Sequence, residues 1–397
     1  METRMEGEEE GKQEVWSWGA GTDGQLATGS LQDELLPQLL SSSLFQHPIS
    51  FLSCGGAHVI ALLHGGKVLT WGRGASGQLG HGDLLSCSLP KPVEFFQDFV
   101  VICVSAGWNH SGFVSDKGCL FTCGDGSFGQ LGHGDLKSQC TPLIVSYFVS
   151  RRVNMIACGM RHSLALLEGP SGDQVYGFGS AKRGQLGIPY DKARYMNTPQ
   201  CTRGLEDNNV MCISANGDHT AALSTDGHMY IWGRGFTGTS DIYYPQCAVS
   251  STSLSQMGLG WHHALVLTVK GEVFMFGGTR HGVLSDPQKT SMLKKATQDA
   301  EESNKIVMER VPGLDGVKIL QVAAGAEHSA LVKEDGEVMT WGWGEHGQLG
   351  LGGTCDQAMP QFVRLSQRNS KQYTTTKAYC GSGFTFVIRR HGPTSPC

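Results

Sequence analysis

The sequence predicts an all-β fold: a seven-bladed β-propeller of about 54-residue repeats, closed by pairing of its N- and C-terminal strands. Three observations predict it. The seven-residue word GQLGHGD stands at Gly77 to Asp83 and again, letter for letter, at Gly129 to Asp135. An aromatic or Cys followed by Gly recurs seven times, at intervals of 53, 52, 55, 54, 44 and 65 residues. The chain opens on one half of the repeat, EVWSWG, and ends on the other half, CGSGFTFVI, so each end supplies what the other lacks.

The elements of one repeat follow in order. The aromatic-Gly mark closes a strand at Trp18, Trp71, Cys123, Phe178, Trp232, Phe276 and Trp341. Six or seven residues later stands GQLA at Gly24 or GQLG at Gly77, Gly129, Gly184 and Gly347, with worn copies GTSD at Gly238 and GVLS at Gly282. The third mark is a small residue, then in most copies Gly, two variable residues and His, ending at His58, His110, His162, His219, His263 and His328; the seventh copy ends at Phe384. Between this mark and the next aromatic-Gly lie runs such as SALVKEDGEVMTWG, in which apolar residues, a Gly turn and renewed alternation predict a β-hairpin. A ring closed by its own termini leaves no open sheet edge. The predicted organisation is an acidic disordered tail at residues 1–14, the propeller at 15–390 with an inserted loop at 285–313, and a C-terminal tail at 391–397. The insertion, rich in Lys, Glu, Asp and Gln with Leu293 and Ala296 at helical spacing, is expected to be a mobile loop with a short helix.

Composition limits the function classes. With 40% hydrophobic and 17% charged residues the chain can bury a core, and its 55 glycines fit a turn-rich β fold. A net charge of -5 supplies no basic field for nucleic acid or a membrane surface. No apolar run approaches the roughly 18 residues of a spanning helix, and the N-terminus lacks the apolar core of a signal peptide, which predicts a cytoplasmic protein with the nucleus open as a second compartment. The 13 cysteines form no CxxC pair and many lie in apolar stretches, as expected of reduced, buried thiols. Cys and His are spread too evenly to build a metal site, and no cofactor is expected. Nucleophile-base pairs, carboxylate pairs and phosphate loops do not stand out, so the chain is not expected to be a covalent enzyme.

The words WGxGxxGQLGHGD, AGxxHSxAL and DGxVxxWG make the chain resemble the regulator of chromosome condensation repeat family, along plant single-propeller members and, more loosely, the secretion-regulating guanine nucleotide exchange factor. That resemblance implies a seven-bladed propeller that binds another protein, with exchange on a small GTPase, or its regulation, as the preferred role. The alternative is an interaction scaffold without exchange activity. Ultraviolet-B reception is a third implied role; the family's photoreceptor carries Trp in GWRHT words on neighbouring blades, whereas this chain has only GWNHS and GWHHA. Two Trp three blades apart are expected to lie too far apart for a coupled cluster. The family's chromatin-bound exchanger has carboxylates directly after some repeated glycines and a basic tail. Here those positions are Gly56, Trp108, Met160, Gly217, Trp261, Ala326 and Ser382, and the tail is rich in Glu, which argues against exchange on chromatin and leaves other GTPases open.

A residue present in every blade serves a task that every blade has. The repeated His58, His110, His162, His219, His263 and His328 are therefore read as structural, each satisfying backbone groups near its own strand. Function is expected where repeats differ, in the two residues before each His, on one face near the channel mouth. The candidates are Trp108, Met160 and Trp261 as exposed anchors, with Asn109, Arg161, Asp218, His262 and Glu327 as polar contacts. A ring of this size needs no partner for stability, so a monomer is expected.

Overall fold

In the computed structural model, residues 13–169, 173–188, 194–206, 208–234, 241–248, 253–277, 308–365 and 373–391 are described, and they form seven four-stranded antiparallel sheets. Each sheet is one blade. The innermost strands of blades 1 to 7 are Ile49–Cys54, Val101–Ala106, Val153–Cys158, Val210–Asn216, Leu254–Leu259, Ile319–Ala324 and Tyr373–Cys380. Every second strand begins at the repeated His or, in blade 7, at Phe384, and every third strand ends at aromatic-Gly or Cys-Gly, with Phe178-Gly179 alone followed by one more strand residue.

Blade 7 closes the ring as expected. Its two inner strands come from the C-terminus, and the N-terminal strand Gln13–Gly19 pairs antiparallel with Phe384–His391 from Gln13 opposite Arg390 to Gly19 opposite Phe384. The strand takes in Gln13 and Glu14, so the tail expected at 1–14 gives up its last two residues to the ring, and His391 likewise belongs to the sheet. The expected loop at 285–313 needs a second correction. Its end, Glu309–Arg310, pairs with Phe274 and Met275 as the outer strand of blade 5, while Leu293 and Ala296 lie outside the described residues. The worn words at Gly238 and Gly282 lie outside them too.

The core sits between blades rather than within them, because a four-stranded sheet is apolar on both faces. Ile60, Leu62 and Val68 of blade 1 pack with Val101, Val104, Phe113 and Phe121 of blade 2. The aromatic-Gly aromatics fill these seams, with Trp18, Trp71, Trp232 and Trp341 fully buried. Trp18 Nε1 donates to Gln348 O of the preceding blade at 2.8 Å, and Trp71 Nε1 to Gln25 O at 2.9 Å. GQLG recurs for the same reason. Gly77 has φ +83° and lies against the neighbouring blade, where a Cβ would come within 2.7 Å of Cys140 Cα. The following Gln supplies the carbonyl that the next blade bonds.

The repeated histidines do more than satisfy their own strands, which corrects the sequence expectation. Nε2 of His58, His110, His162, His263 and His328 reaches the hydroxyl of Ser111, Ser163, Thr220, Ser329 and Thr385 on the next blade at 2.8–3.0 Å. Ser111, Ser163, Thr220 and Thr385 in turn donate to the carbonyls of Gln78, Gln130, Gln185 and Gln348. Where the relay ends, both partners change. Phe384 replaces the seventh His, and the next blade offers Val59 in place of a hydroxyl.

Blade 4 is the exception. Elsewhere the ring of the repeated His lies over the Gly three residues before it, so close that a Cβ on Gly159 would come within 2.3 Å of His162. In blade 4 that position is Asn216, and blade 5 offers Ala264 where a hydroxyl is needed. His219 is displaced and faces two main-chain carbonyls, Arg234 O through Nδ1 and Trp261 O through Nε2.

Candidate functional site

The loop between the first and second strands of each blade carries the two variable residues, and these loops converge on one mouth of the channel. Main-chain bonds run from blade to blade around it: Gly56 N donates to Gly107 O, Trp108 N to Gly159 O, Met160 N to Gly217 O, Trp261 N to Ala326 O, Ala326 N to Ser382 O and Ser382 N to Gly55 O, all at 2.8–3.1 Å. Between blades 4 and 5 Gly217 N turns instead to Asn216 Oδ1, and Asn216 Nδ2 takes Leu259 O at 2.7 Å. The rim is thus held by main chain, which leaves the side chains free to vary.

Trp108 and Trp261 meet across the axis, with ring centroids 4.9 Å apart and planes inclined at 47°. This overturns two expectations. Blade number measures separation around the rim, but loops at the mouth point inward, and across it two indoles touch. Neither Trp stands out as an exposed anchor; both, like Met160, are half-buried. Gly56 makes room for the pair, since a Cβ there would come within 2.7 Å of the Trp108 ring.

The polar candidates divide. Arg161 is exposed and lies over the Phe128 ring at 4.8 Å, a cation–π contact on the rim. Asp218 is half-buried and accepts from Gln185 Nε2 at 3.2 Å. His262 Nδ1 lies 3.1 Å from Glu327 Oε1, at ion-pair distance but off hydrogen-bond direction. Glu327, at 9% exposure, is buried, so its contact with solvent is smaller than the sequence suggested. Asn109 is half-buried, and its Oδ1 makes no hydrogen bond among the described residues.

Further residues share this face and were missed. Trp343 follows an aromatic-Gly mark; its ring meets His346 edge-on at 5.2 Å and its Nε1 donates to Glu345 at 3.2 Å. Arg73 pairs with Asp23 at 3.3 Å, and Arg183 with Asp241 at 3.2 Å. The signal was present in Trp-Gly-Trp-Gly, where the second Trp is extra to the repeat.

Burial sets the protonation of the relay. It holds His58, His110, His162 and His328 down to about 3 and His263 to about 4, neutral at neutral pH. His219 is also lowered by burial, opposed by its two carbonyl contacts. At Ser111, Ser163, Thr220 and Thr385 the hydroxyl that a neutral histidine reaches is itself bonded to a main-chain carbonyl, so the relay ties neighbouring blades together. Among the described residues no helix is long and apolar enough to cross a membrane.

Residues 14–387 match the family model of the RCC1-like domain. The ultraviolet-B receptor UVR8 of Arabidopsis thaliana is 30% identical, over 80% of this chain and 70% of the receptor. The secretion-regulating guanine nucleotide exchange factor of Mus musculus is also 30% identical, over 94% of this chain and 83% of that protein. Among solved structures, Prp20p of Saccharomyces cerevisiae superposes with a TM-score of 0.79 at 22% identity, covering 98% of this chain and 93% of that one. Human WBSCR16 gives the same TM-score at 24% identity, covering 96% and 100%. Both share the fold.

Proposed function

The chain belongs to the RCC1-like domain family, and from that membership we propose that its propeller binds a protein partner through the Trp108–Trp261 face and acts as an exchange factor or regulator of a small GTPase. The observation that carries this reading is the face itself: a half-buried aromatic pair at its centre, ringed by Arg161, Asp218, His262 and Trp343 on a rigid main-chain rim. Aromatic and Arg side chains at the centre of a patch with a polar surround are what protein interfaces favour. Likeness to the secretion-regulating exchange factor over 94% of the chain directs the reading to a GTPase. Exchange needs no bond-making by the propeller. A face that binds the nucleotide-free GTPase more tightly than the nucleotide-bound form weakens nucleotide binding by the same factor.

The test is capture from cell extract on the immobilised propeller, with EDTA in one arm and magnesium plus GTP in the other, and identification of bound proteins by mass spectrometry. Exchange activity predicts a GTPase retained under EDTA and released by magnesium and GTP. A partner held equally in both arms, with no GTPase in either, supports the scaffold alternative instead.

The indole contact favours a second reading, ultraviolet reception, because the likeness to the ultraviolet-B receptor covers 80% of the chain and coupled indoles absorb together. Illumination of the purified protein with ultraviolet light tests it. A change in sedimentation that disappears in Trp108→Ala supports reception, and an unchanged profile removes it.

A further inference from the structure

The channel behind the Trp face has a chemistry of its own. It encloses about 690 Å³, within the size range of small-molecule sites. No charged or His side chain among the described residues lines it. Sulfur does, at Cys54, Cys103, Cys158, Cys212, Met155 and Met257. Burial pushes the Cys54, Cys103 and Cys212 thiols up, and Cys158 to about 12, so the wall is neutral as well as polarisable. Thioethers and thiols of this kind make favourable contacts with aromatic rings.

Two features fix the length and the waist. Trp108 and Trp261 touch across one mouth and roof the space. Phe51 and Ile102, 44% and 45% exposed, mark the other end. In one register of the inner strands six blades carry small residues, among them Ser214, Gly258 and Ala323, and the seventh carries Tyr379. Tyr379 is 8% exposed; its ring packs in the seam of blades 7 and 1, edge-on to Phe51 at 5.5 Å, and its hydroxyl faces the Leu52 main chain.

We propose that the channel is a binding site for an uncharged aromatic small molecule, roofed by Trp108 and Trp261 and walled by neutral thiols and thioethers. A charged ligand is excluded because the wall offers no counter-ion to offset desolvation. The channel lies beneath the proposed protein-binding face and shares Trp108 and Trp261 with it, but its test does not depend on a partner.

The probes are N-phenyl-1-naphthylamine, which is neutral, and its sulfonated analogue 1-anilinonaphthalene-8-sulfonate. The neutral probe is expected to bind saturably at one site, with energy transfer from tryptophan, and the sulfonate at least about tenfold more weakly. Ser214→Tyr puts a bulky side chain in the waist and is expected to abolish binding in a variant that still unfolds cooperatively. Ala323→Leu, a smaller filling on another blade, gives the same readout should Ser214→Tyr not fold. Equal binding of both probes, no saturable binding of the neutral one, or binding unchanged in a folded waist-filling variant would overturn the proposal.

Discussion

Single residues decide how the blades hold together. Thr385→Val removes the hydroxyl that His328 Nε2 bonds and leaves a buried ring nitrogen unpaired, at a cost of about 1–3 kcal/mol. Adding His328→Phe recreates the Phe384 and Val59 pair already present between blades 7 and 1. Gln348 O keeps the Trp18 bond in that variant, so the double change is expected to recover most of the loss in urea unfolding. An unrecovered double variant would show that the relay is not what the seam requires. The same histidines set the acid limit. Their folded pKa near 3 or 4 lies below the ordinary 6.5, so stability is full above pH 6.5 and falls as pH drops, because the unfolded chain takes up protons the folded one refuses. Each contributes a slope of up to about 1.4 kcal/mol per pH unit. Urea midpoints at pH 7 and pH 5 are expected to differ steeply, and equal midpoints would contradict the burial of neutral imidazoles. The residue scale is also where sequence reading reached its limit. The recurrence of the histidines was legible, but the hydroxyl that five of them reach on the next blade was not. Nor was the Trp108–Trp261 contact, since spacing along the chain gives the blade but not the inward reach of its loop. Near-ultraviolet circular dichroism checks that contact: a coupled indole signal is expected in the native protein and its loss in either Trp→Ala variant.

At the scale of elements, the ring depends on the strand that closes it. Removing residues 1–19 takes away Gln13–Gly19, exposes the edge of Phe384–His391 and deletes Trp18 from the seam between blades 6 and 7. A shortened chain is expected to lose its cooperative unfolding transition and aggregate through the free edge. Retention of a sharp transition would contradict closure by the termini. This closure was legible because each end of the chain carries the half repeat the other lacks. The outer strand of blade 5 was not. Only Glu309 and Arg310 pair there, too short a run for alternation to register, and it lay within what the 65-residue interval presented as insertion. The departure of blade 4 was partly legible. The interval of 44 marked it as irregular, but the consequence of Asn216 appears only once neighbouring glycines are seen beneath their histidines.

For the whole molecule, the seven blades form one scaffold with the variable loops gathered at one mouth of its channel. Main-chain bonds around the rim leave the variable side chains to differ from blade to blade, and the neutral channel lies beneath them. We propose that the propeller acts as a monomer, since its termini already close the sheet, and sedimentation at micromolar concentration is expected to show a single copy. Release of a fluorescent guanine nucleotide from the captured GTPase tests the central claim most directly. The intact propeller is expected to accelerate release, and the Trp108→Ala, Trp261→Ala variant, matched in unfolding midpoint, is expected to leave it at the spontaneous rate. Release unchanged by the intact propeller, or accelerated equally by the variant, would contradict exchange through this face.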